Sequence, residues 1–182
     1  MLEEKIEDII ISSIDVNSHI TGDKIGKCLE AAENATELYA DHLMSTVDFR
    51  LDGKKIVLDC ANGASFRVAE MVYRRLGAEV TVIGNEPNGI NINDGCGSTH
   101  PEKMAETVKR IGADIGLAFD GDADRLIVAD ELGNIIDGDR VIAICARMLK
   151  EQGRLAENRV TATVMSNIGF HKAMEASGIE VD

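Results

Sequence analysis

The chain has 182 residues, enough to bury a hydrophobic core without disulfides or metal ions to staple it. Its 19 Lys and Arg residues against 32 Asp and Glu residues give a formal net charge of −13, which excludes nucleic acid and anionic membrane surfaces as partners. Aromatic residues make up only 3% of the sequence, so base-stacking platforms are also excluded.

The cysteines are widely spaced and include no C-x-x-C pair. They are Cys28, Cys60, Cys96 and Cys145. This spacing predicts free thiols in a reducing compartment, and the start of the chain shows no signal-peptide pattern, so we expect a cytoplasmic protein. Cys96 and His100 are four residues apart, but no second pair lies nearby and structural zinc requires four ligands. We therefore expect no zinc site.

The apolar pattern predicts helices first and then strands that alternate with helices. Helical stripes cover 2–14 and about 25–47, with a linker at 15–24 between them. Apolar runs predict strands at 55–59, 79–83, 114–119, 126–129, 135–136, 159–165 and 179–181. Further helices are predicted at 66–76, 101–111, 139–152 and 169–176.

The turn residues support these boundaries. Pro101 stands at the start of one predicted helix, and Gly77 and Gly112 follow the ends of two others. Asp139 is predicted to cap the helix over 139–152. The order predicts an α/β protein with a three-layer β-α-β-α-β mixed sheet, a C-terminal antiparallel hairpin and a truncated second α/β domain.

A cluster of acidic residues follows a predicted buried strand. Asp120, Asp122 and Asp124 alternate at its carboxyl end, where open α/β sheets place ligands. Three adjacent carboxylates repel one another unless a cation neutralises them, and oxygen ligands suit Mg²⁺ or Ca²⁺. Gly121 and Ala123 are small, so the backbone can turn all three side chains toward one ion. The cluster predicts a metal site, with a solvated acidic turn as the alternative.

Other sites with similar spacing fit less well. An EF-hand requires glycine at the sixth position of its loop, where this sequence has Arg125, and helices rather than strands on either side. A haloacid-dehalogenase-type phosphatase would use Asp120 as a nucleophile, but the Thr or Val expected after the second Asp is missing. A stand-alone module that binds a cation or phosphate stays open as a further alternative.

The stretch Phe119-Asp-Gly-Asp-Ala-Asp-Arg125 resembles the metal-binding loop of the α-D-phosphohexomutases. Other stretches resemble the phosphoglucosamine mutase branch of that superfamily in the same order. They are Leu58-Asp-Cys-Ala-Asn-Gly-Ala64, residues 86–99, Gly133-Asn-Ile-Ile-Asp-Gly-Asp139 and Met165-Ser-Asn-Ile-Gly169. The resemblance covers almost the whole chain.

This resemblance implies a magnesium-dependent mutase that interconverts glucosamine 6-phosphate and glucosamine 1-phosphate through a phosphoserine and a bisphosphate intermediate. It implies that Asp120, Asp122 and Asp124 hold Mg²⁺ and that Arg125 contacts the phosphate; the alternative for Arg125 is a salt bridge to its own loop. The implied partner is a phosphosugar, and the full-length protein is a candidate homodimer.

Three motifs of the resembled family do not occur in the sequence: the phosphoserine loop, the sugar-recognition loop and the terminal phosphate-binding loop. Ser98-Thr-His-Pro101 resembles the first only superficially and aligns with a non-catalytic stretch. The resemblance therefore implies that 1–24 are the tail of a preceding domain and a linker, 25–135 a second, metal-binding domain and 136–182 the start of a third. We expect this chain alone to be catalytically inactive.

Overall fold

The computed structural model describes residues 2–13 and 34–182, which divide between two units, Met1–Ala35 and Thr36–Asp182. In the first unit, the amphipathic sequence Leu2–Ser13 forms helix α1, as its apolar stripe predicted. The predicted linker at 15–24 and the first part of the helix predicted at about 25–47 lie outside the described residues. Within the described residues of that prediction, helix α2 covers Ala35–Ser45.

The main sheet has five strands, and its buried apolar runs are those that the sequence predicted. Its strands and helices in chain order are β1 (Lys55–Asp59), α3 (Val68–Arg75), β2 (Glu79–Ile83), α4 (Glu102–Ile111), β3 (Ile115–Phe119), β4 (Leu126–Ala129) and β5 (Ile135–Ile136). The strand order is β2-β1-β3-β4-β5. Strand β1 is parallel to β2 and β3, and β4 is antiparallel to β3 and β5. The predicted mixed sheet with a terminal hairpin is confirmed.

Helices cover both faces of this sheet because alternate residues of β1 point to opposite sides. Leu58 belongs to the core that contains Ala69 of α3. Val57 belongs to the core that contains Met104 and Val108 of α4. These two cores account for the three layers.

A smaller βαβ arrangement follows. It comprises α5 (Gly138–Glu151), β6 (Arg159–Val160), α6 (Ile168–Ala176) and β7 (Glu180–Val181). Strands β6 and β7 are parallel, with Arg159 opposite Glu180. Their core contains Phe170 and Met174 of α6 with Ala146 of α5. These elements are the truncated second α/β part that the sequence predicted.

The predicted cap of α5 was wrong. The cap is Asp137, whose extended backbone lets its Oδ1 accept a 3.0 Å hydrogen bond from the Arg140 N–H. Asp139 lies inside the first turn of α5, and its Oδ2 accepts 2.7 Å bonds from the backbone and side-chain nitrogens of Asn167. Asp139 therefore joins the starts of α5 and α6.

Two predicted boundaries also differ. A 3₁₀ turn at Ala64–Phe66 precedes α3, so that helix begins two residues later than predicted. Of the strand predicted at 159–165, Arg159–Val160 form the strand paired with β7, and the Ala162 N–H also donates to the Asp182 carbonyl at 2.9 Å. Among the helices of the described residues, none is long and apolar enough to cross a membrane.

Candidate metal centre

The acidic loop lies at the carboxyl end of β3, in the middle of the main sheet. One carboxylate oxygen from each of Asp120, Asp122 and Asp124 lies within 4.8 Å of the others. Asp120 is only 1% exposed, whereas the other two are exposed. The cluster therefore has one buried, fixed carboxylate and two that solvent can reach.

The backbone of this loop turns sharply at Ala123, which has a positive φ of 63°. This left-handed conformation is uncommon for a residue other than glycine, and a small side chain lowers its cost. The Ala123 N–H donates a 3.1 Å hydrogen bond to the Asp120 carbonyl. The turn brings Asp122 and Asp124 back toward Asp120, as the small residues of the loop predicted.

Arg125 binds the carboxylates of its own loop. Its backbone N–H donates to Asp120 Oδ1 at 3.0 Å, and its Nε and Nη2 each lie 2.7 Å from Asp120 Oδ2. Its Nε also lies 3.4 Å from Asp124 Oδ1. The Arg125 side chain is 66% exposed, so it can move away from the loop.

The pKa values of Asp120 and Asp124 are shifted in opposite directions. Burial opposes ionisation of Asp120, but hydrogen bonds from the backbone and guanidinium of Arg125 lower its pKa to about 2. The pKa of Asp124 is raised, first by its hydrogen bond with Asp120 and then by the charges of Asp122 and Asp120. Asp120 is therefore ionised at neutral pH, and Arg125 is its positive partner.

The residues present fit a small divalent cation. Octahedral Mg²⁺ takes oxygens at about 2.1 Å, which puts its ligand oxygens about 3 to 4 Å apart, and a spread of 4.8 Å needs little contraction. Carboxylate oxygens suit this ion better than they suit soft metals. Cys96 and His100 are not members of this carboxylate cluster.

Comparison with known proteins identifies the family. The model of phosphoglucomutase/phosphomannomutase α/β/α domain II matches residues 37–133, more than half of the chain, and the model of domain III matches residues 137–182. The chain belongs to the phosphoglucomutase/phosphomannomutase family. The acidic loop lies in the domain II match. A haloacid-dehalogenase-type phosphatase is therefore not favoured.

Relatives within the phosphoglucomutase/phosphomannomutase family are similar over nearly all of the chain. A phosphoglucosamine mutase of Brevibacillus brevis is 51% identical over 178 residues, covering 98% of this chain and 40% of that protein. One of Alkaliphilus metalliredigens is 47% identical over 180 residues, covering 99% and 40%. The chain thus spans about two fifths of the length of the curated relatives it matches.

A crystal structure of a phosphoglucomutase/phosphomannomutase family protein from Burkholderia thailandensis has the same fold. It superimposes with a TM-score of 0.73 and 23% identity, covering 98% of this chain and 38% of that one. At this identity the comparison bears on the fold alone.

The sequence analysis missed the importance of Asp59, at the end of β1. Asp59, the last residue of β1, is fully buried, and its carboxylate accepts hydrogen bonds from the Ala61 N–H at 3.0 Å and the Gly97 N–H at 2.9 Å. Its position at the end of a buried strand, like that of Asp120, was the available signal. Asp59 ends β1 and Asp120 directly follows β3, and because these neighbouring strands are parallel, both buried carboxylates lie at the same edge of the sheet.

Asn62 and Gly63 bring the loop after β1 into contact with the loop after β2 and with the acidic loop. Asn62 Oδ1 accepts from the Glu86 N–H at 3.1 Å. A Cβ on Gly63 would lie 2.2 Å from the Gly121 carbonyl oxygen, so only glycine allows the two loops to touch. The Ala64 N–H donates to that oxygen at 2.8 Å.

A largely apolar groove of about 420 Å³ opens beside the acidic loop, between α2 and α3. Tyr39 and Leu43 line it on the α2 side and Val72 on the α3 side. Asp122 and Ala123 of the acidic loop also line it. The acidic loop is therefore open to solvent on this side.

Proposed function

We propose that the chain is the metal-binding part of a phosphoglucosamine mutase, which interconverts glucosamine 6-phosphate and glucosamine 1-phosphate through a phosphoserine and a bisphosphate intermediate. The observation that carries the proposal is the convergence of three Asp carboxylates within 4.8 Å at the end of β3. Relatives named phosphoglucosamine mutase, 47% and 51% identical to this chain, support the substrate class.

In this proposal Asp120, Asp122 and Asp124 hold Mg²⁺. A bound Mg²⁺ supplies positive charge that offsets the charge of the transferring phosphoryl group. Asp120 provides a fixed ligand because it is buried and ionised, and the exposed pair adapts to the ion. Because its side chain is exposed, the Arg125 guanidinium can leave the carboxylates of Asp120 and Asp124 and bind phosphate oxygens, which it contacts bidentately.

The proposal includes the division of the chain into 1–24, 25–135 and 136–182, a cytoplasmic location and a full-length protein that needs its other domains for turnover. Its substrate is a phosphosugar, and the full-length protein is a candidate homodimer. These statements go beyond membership of the family, and experiments on the full-length enzyme test them.

Metal binding is tested by calorimetry of Mg²⁺ with the purified chain. We expect Asp122→Asn to weaken Mg²⁺ binding about tenfold or more, because it removes one charged ligand. Asp48→Asn is the matched control, since it removes one exposed carboxylate outside the loop. Equal heats for the parent and Asp122→Asn would exclude this loop as the metal site.

The reaction is tested in a chimera in which residues 37–182 replace the aligned segment of the Brevibacillus brevis protein. We expect this chimera to convert glucosamine 6-phosphate to glucosamine 1-phosphate, and Asp122→Asn to lower the rate by about 100-fold or more. The Asp48→Asn chimera should retain its rate. A folded chimera that binds Mg²⁺ yet turns over no aminosugar phosphate would contradict the proposed reaction.

A further inference from the structure

A buried carboxylate outside the acidic loop calls for a physical reason, because an ionised group is costly to remove from water. Asp59 is fully buried at the carboxyl end of β1. Among the described residues, its hydrogen-bond donors are two backbone amides, those of Ala61 and Gly97. These belong to different loops, separated by 36 residues of sequence, so Asp59 joins the loop after β1 to the loop after β2.

The loop after β2, which contains Gly97, contacts the residue that precedes the acidic loop. The next residue, Ser98, donates its N–H to the Phe119 carbonyl at 2.8 Å. A Cβ on Gly97 would lie 2.6 Å from the same carbonyl oxygen, so the backbone of the β2 loop is packed against the end of β3. Phe119 directly precedes Asp120, the buried ligand of the cluster.

The Ala61 side reaches the acidic loop by a second route. The Ala61 carbonyl accepts a 2.9 Å hydrogen bond from the Asn93 N–H. The Asn93 side chain lies against Gly121, because a Cβ on Gly121 would be 2.9 Å from Asn93 Nδ2. Asp59 is thus connected by backbone hydrogen bonds to contacts on both sides of Asp120.

The packing around Asp59 leaves little room for another arrangement. A Cβ on Gly84 would lie 2.5 Å from Asp59 Oδ1. Each oxygen of the carboxylate accepts one amide. An asparagine has one acceptor oxygen and an NH₂ donor, so one of the two amides would face a donor and stay unpaired.

We infer that Asp59 is a positioning residue of the metal centre, which holds the β2 loop against the end of β3 and thereby sets where Asp120 enters the cluster. This role rests on the proposed function, in which Asp120 is a metal ligand. Asp59 does not touch the ion and acts through Gly97 and Ser98.

The test compares Asp59→Asn with Asp114→Asn in the purified chain. Asp114 is the matched control because its Oδ2 accepts a backbone amide, that of Lys55, at 2.7 Å, but at the opposite end of β1 and β3. Both variants remove a carboxylate that accepts backbone amides at one end of β1. Only the first one is connected to the acidic loop.

Two readouts are measured, hydrogen exchange and Mg²⁺ affinity. We expect the amides of Ser98, Ala123 and Arg125 to exchange about tenfold faster in Asp59→Asn and at the parental rate in Asp114→Asn. We expect Mg²⁺ affinity to fall about tenfold in Asp59→Asn alone. The melting temperature of each variant separates this effect from general destabilisation.

The outcomes distinguish this inference from the proposed function. Parental exchange rates in Asp59→Asn, or equal changes in both variants, would overturn the positioning role. If the parent chain binds no Mg²⁺, the proposed metal site fails, and the exchange rates still decide whether Asp59 orders the acidic loop. An unchanged Mg²⁺ affinity in a folded Asp59→Asn chain would also overturn the inference.

A second pair of variants serves if Asp59→Asn does not fold. Gly97→Ala places a methyl group 2.5 Å from the Ala61 Cβ and 2.6 Å from the Phe119 carbonyl oxygen, and it keeps the Asp59 carboxylate in the chain. Gly95→Ala is its control, because Gly95 also has a positive φ, 60° against 74°, but has open space around its Cβ position. We expect faster exchange at Ser98 and weaker Mg²⁺ binding in Gly97→Ala only; the same behaviour in both would contradict the inference.

Discussion

Arg125 contacts the same carboxylate oxygens that a divalent cation would bind at the candidate metal centre. Its guanidinium lies 2.7 Å from Asp120 Oδ2 and 3.4 Å from Asp124 Oδ1, so it already neutralises part of the cluster. Most of the Arg125 side chain is exposed, but its partner Asp120 is buried, so the Asp120 charge must stay compensated. A cation that binds these carboxylates therefore displaces the guanidinium by replacing its positive charge and leaves it available for an anion.

We predict that Arg125→Gln raises the Mg²⁺ affinity of the chain about fivefold, because it removes a positive charge that competes for the carboxylates. Calorimetry at low ionic strength measures the change. Arg147→Gln, which removes an exposed charge elsewhere, should leave the affinity unchanged. In the chimera, Arg125→Gln should lower turnover despite tighter metal binding. Weaker Mg²⁺ binding in this variant would contradict the competition.

The residues of the acidic loop could be predicted because their arrangement is local. Six consecutive positions contain all three carboxylates, the small residues and Arg125, and the strand before them is clearly apolar. The role of Asp59 could not be predicted, because its partner Gly97 lies 38 residues away. Sequence spacing does not reveal which loops meet at the edge of a sheet.

At the scale of elements, a carboxylate lies at each end of the central strands β1 and β3. Asp59 lies at the carboxyl end of β1 and joins the loops after β1 and β2, whereas Asp114 precedes β3 and joins its start to that of β1. The Asp114 N–H donates to the Lys55 carbonyl at 2.8 Å, and the Lys55 N–H donates to Asp114 Oδ2 at 2.7 Å. This reciprocal pair fixes the register at the start of the two central strands.

The pKa of Asp114 lies below its usual value, chiefly because the Lys55 backbone N–H bonds to the carboxylate. A carboxyl group with a lowered folded-state pKa stabilises the fold above its unfolded-state pKa of about 3.9. We therefore predict that Asp114→Asn lowers the melting temperature most near neutral pH. The difference from the parent should narrow as the pH falls below about 4 and the carboxylate is protonated in both states. Thermal unfolding from neutral pH to pH 3 measures it, and a difference that grows on acidification would contradict the assignment.

The strands were easier to predict than the ends of the helices. Each strand of the main sheet is a short apolar run, and burial on the sheet requires such a run. The cap of α5 depends on which of two aspartates, Asp137 or Asp139, has the extended backbone, and the sequence contains both. The contact of Asp139 with Asn167 is a tertiary one that no local pattern contains.

At the scale of the whole molecule, the net charge of −13 opposes folding by repulsion, and the acidic loop is one place where that charge is concentrated. Any salt reduces this repulsion by screening, whereas only an ion that binds the folded state stabilises it by mass action. The two effects can be separated because screening depends on ionic strength alone.

We predict that about 5 mM MgCl₂ raises the melting temperature more than NaCl of the same ionic strength does. At a free Mg²⁺ concentration ten times its Kd, mass action adds about 1.4 kcal/mol to the free energy of unfolding. This corresponds to about 4 °C for a chain of this length. Asp122→Asn should lose the excess shift and keep the shift common to both salts, since it changes the site but little of the total charge. Equal shifts in MgCl₂ and NaCl for the parent chain would mean that the acidic loop attracts cations only as part of an acidic surface.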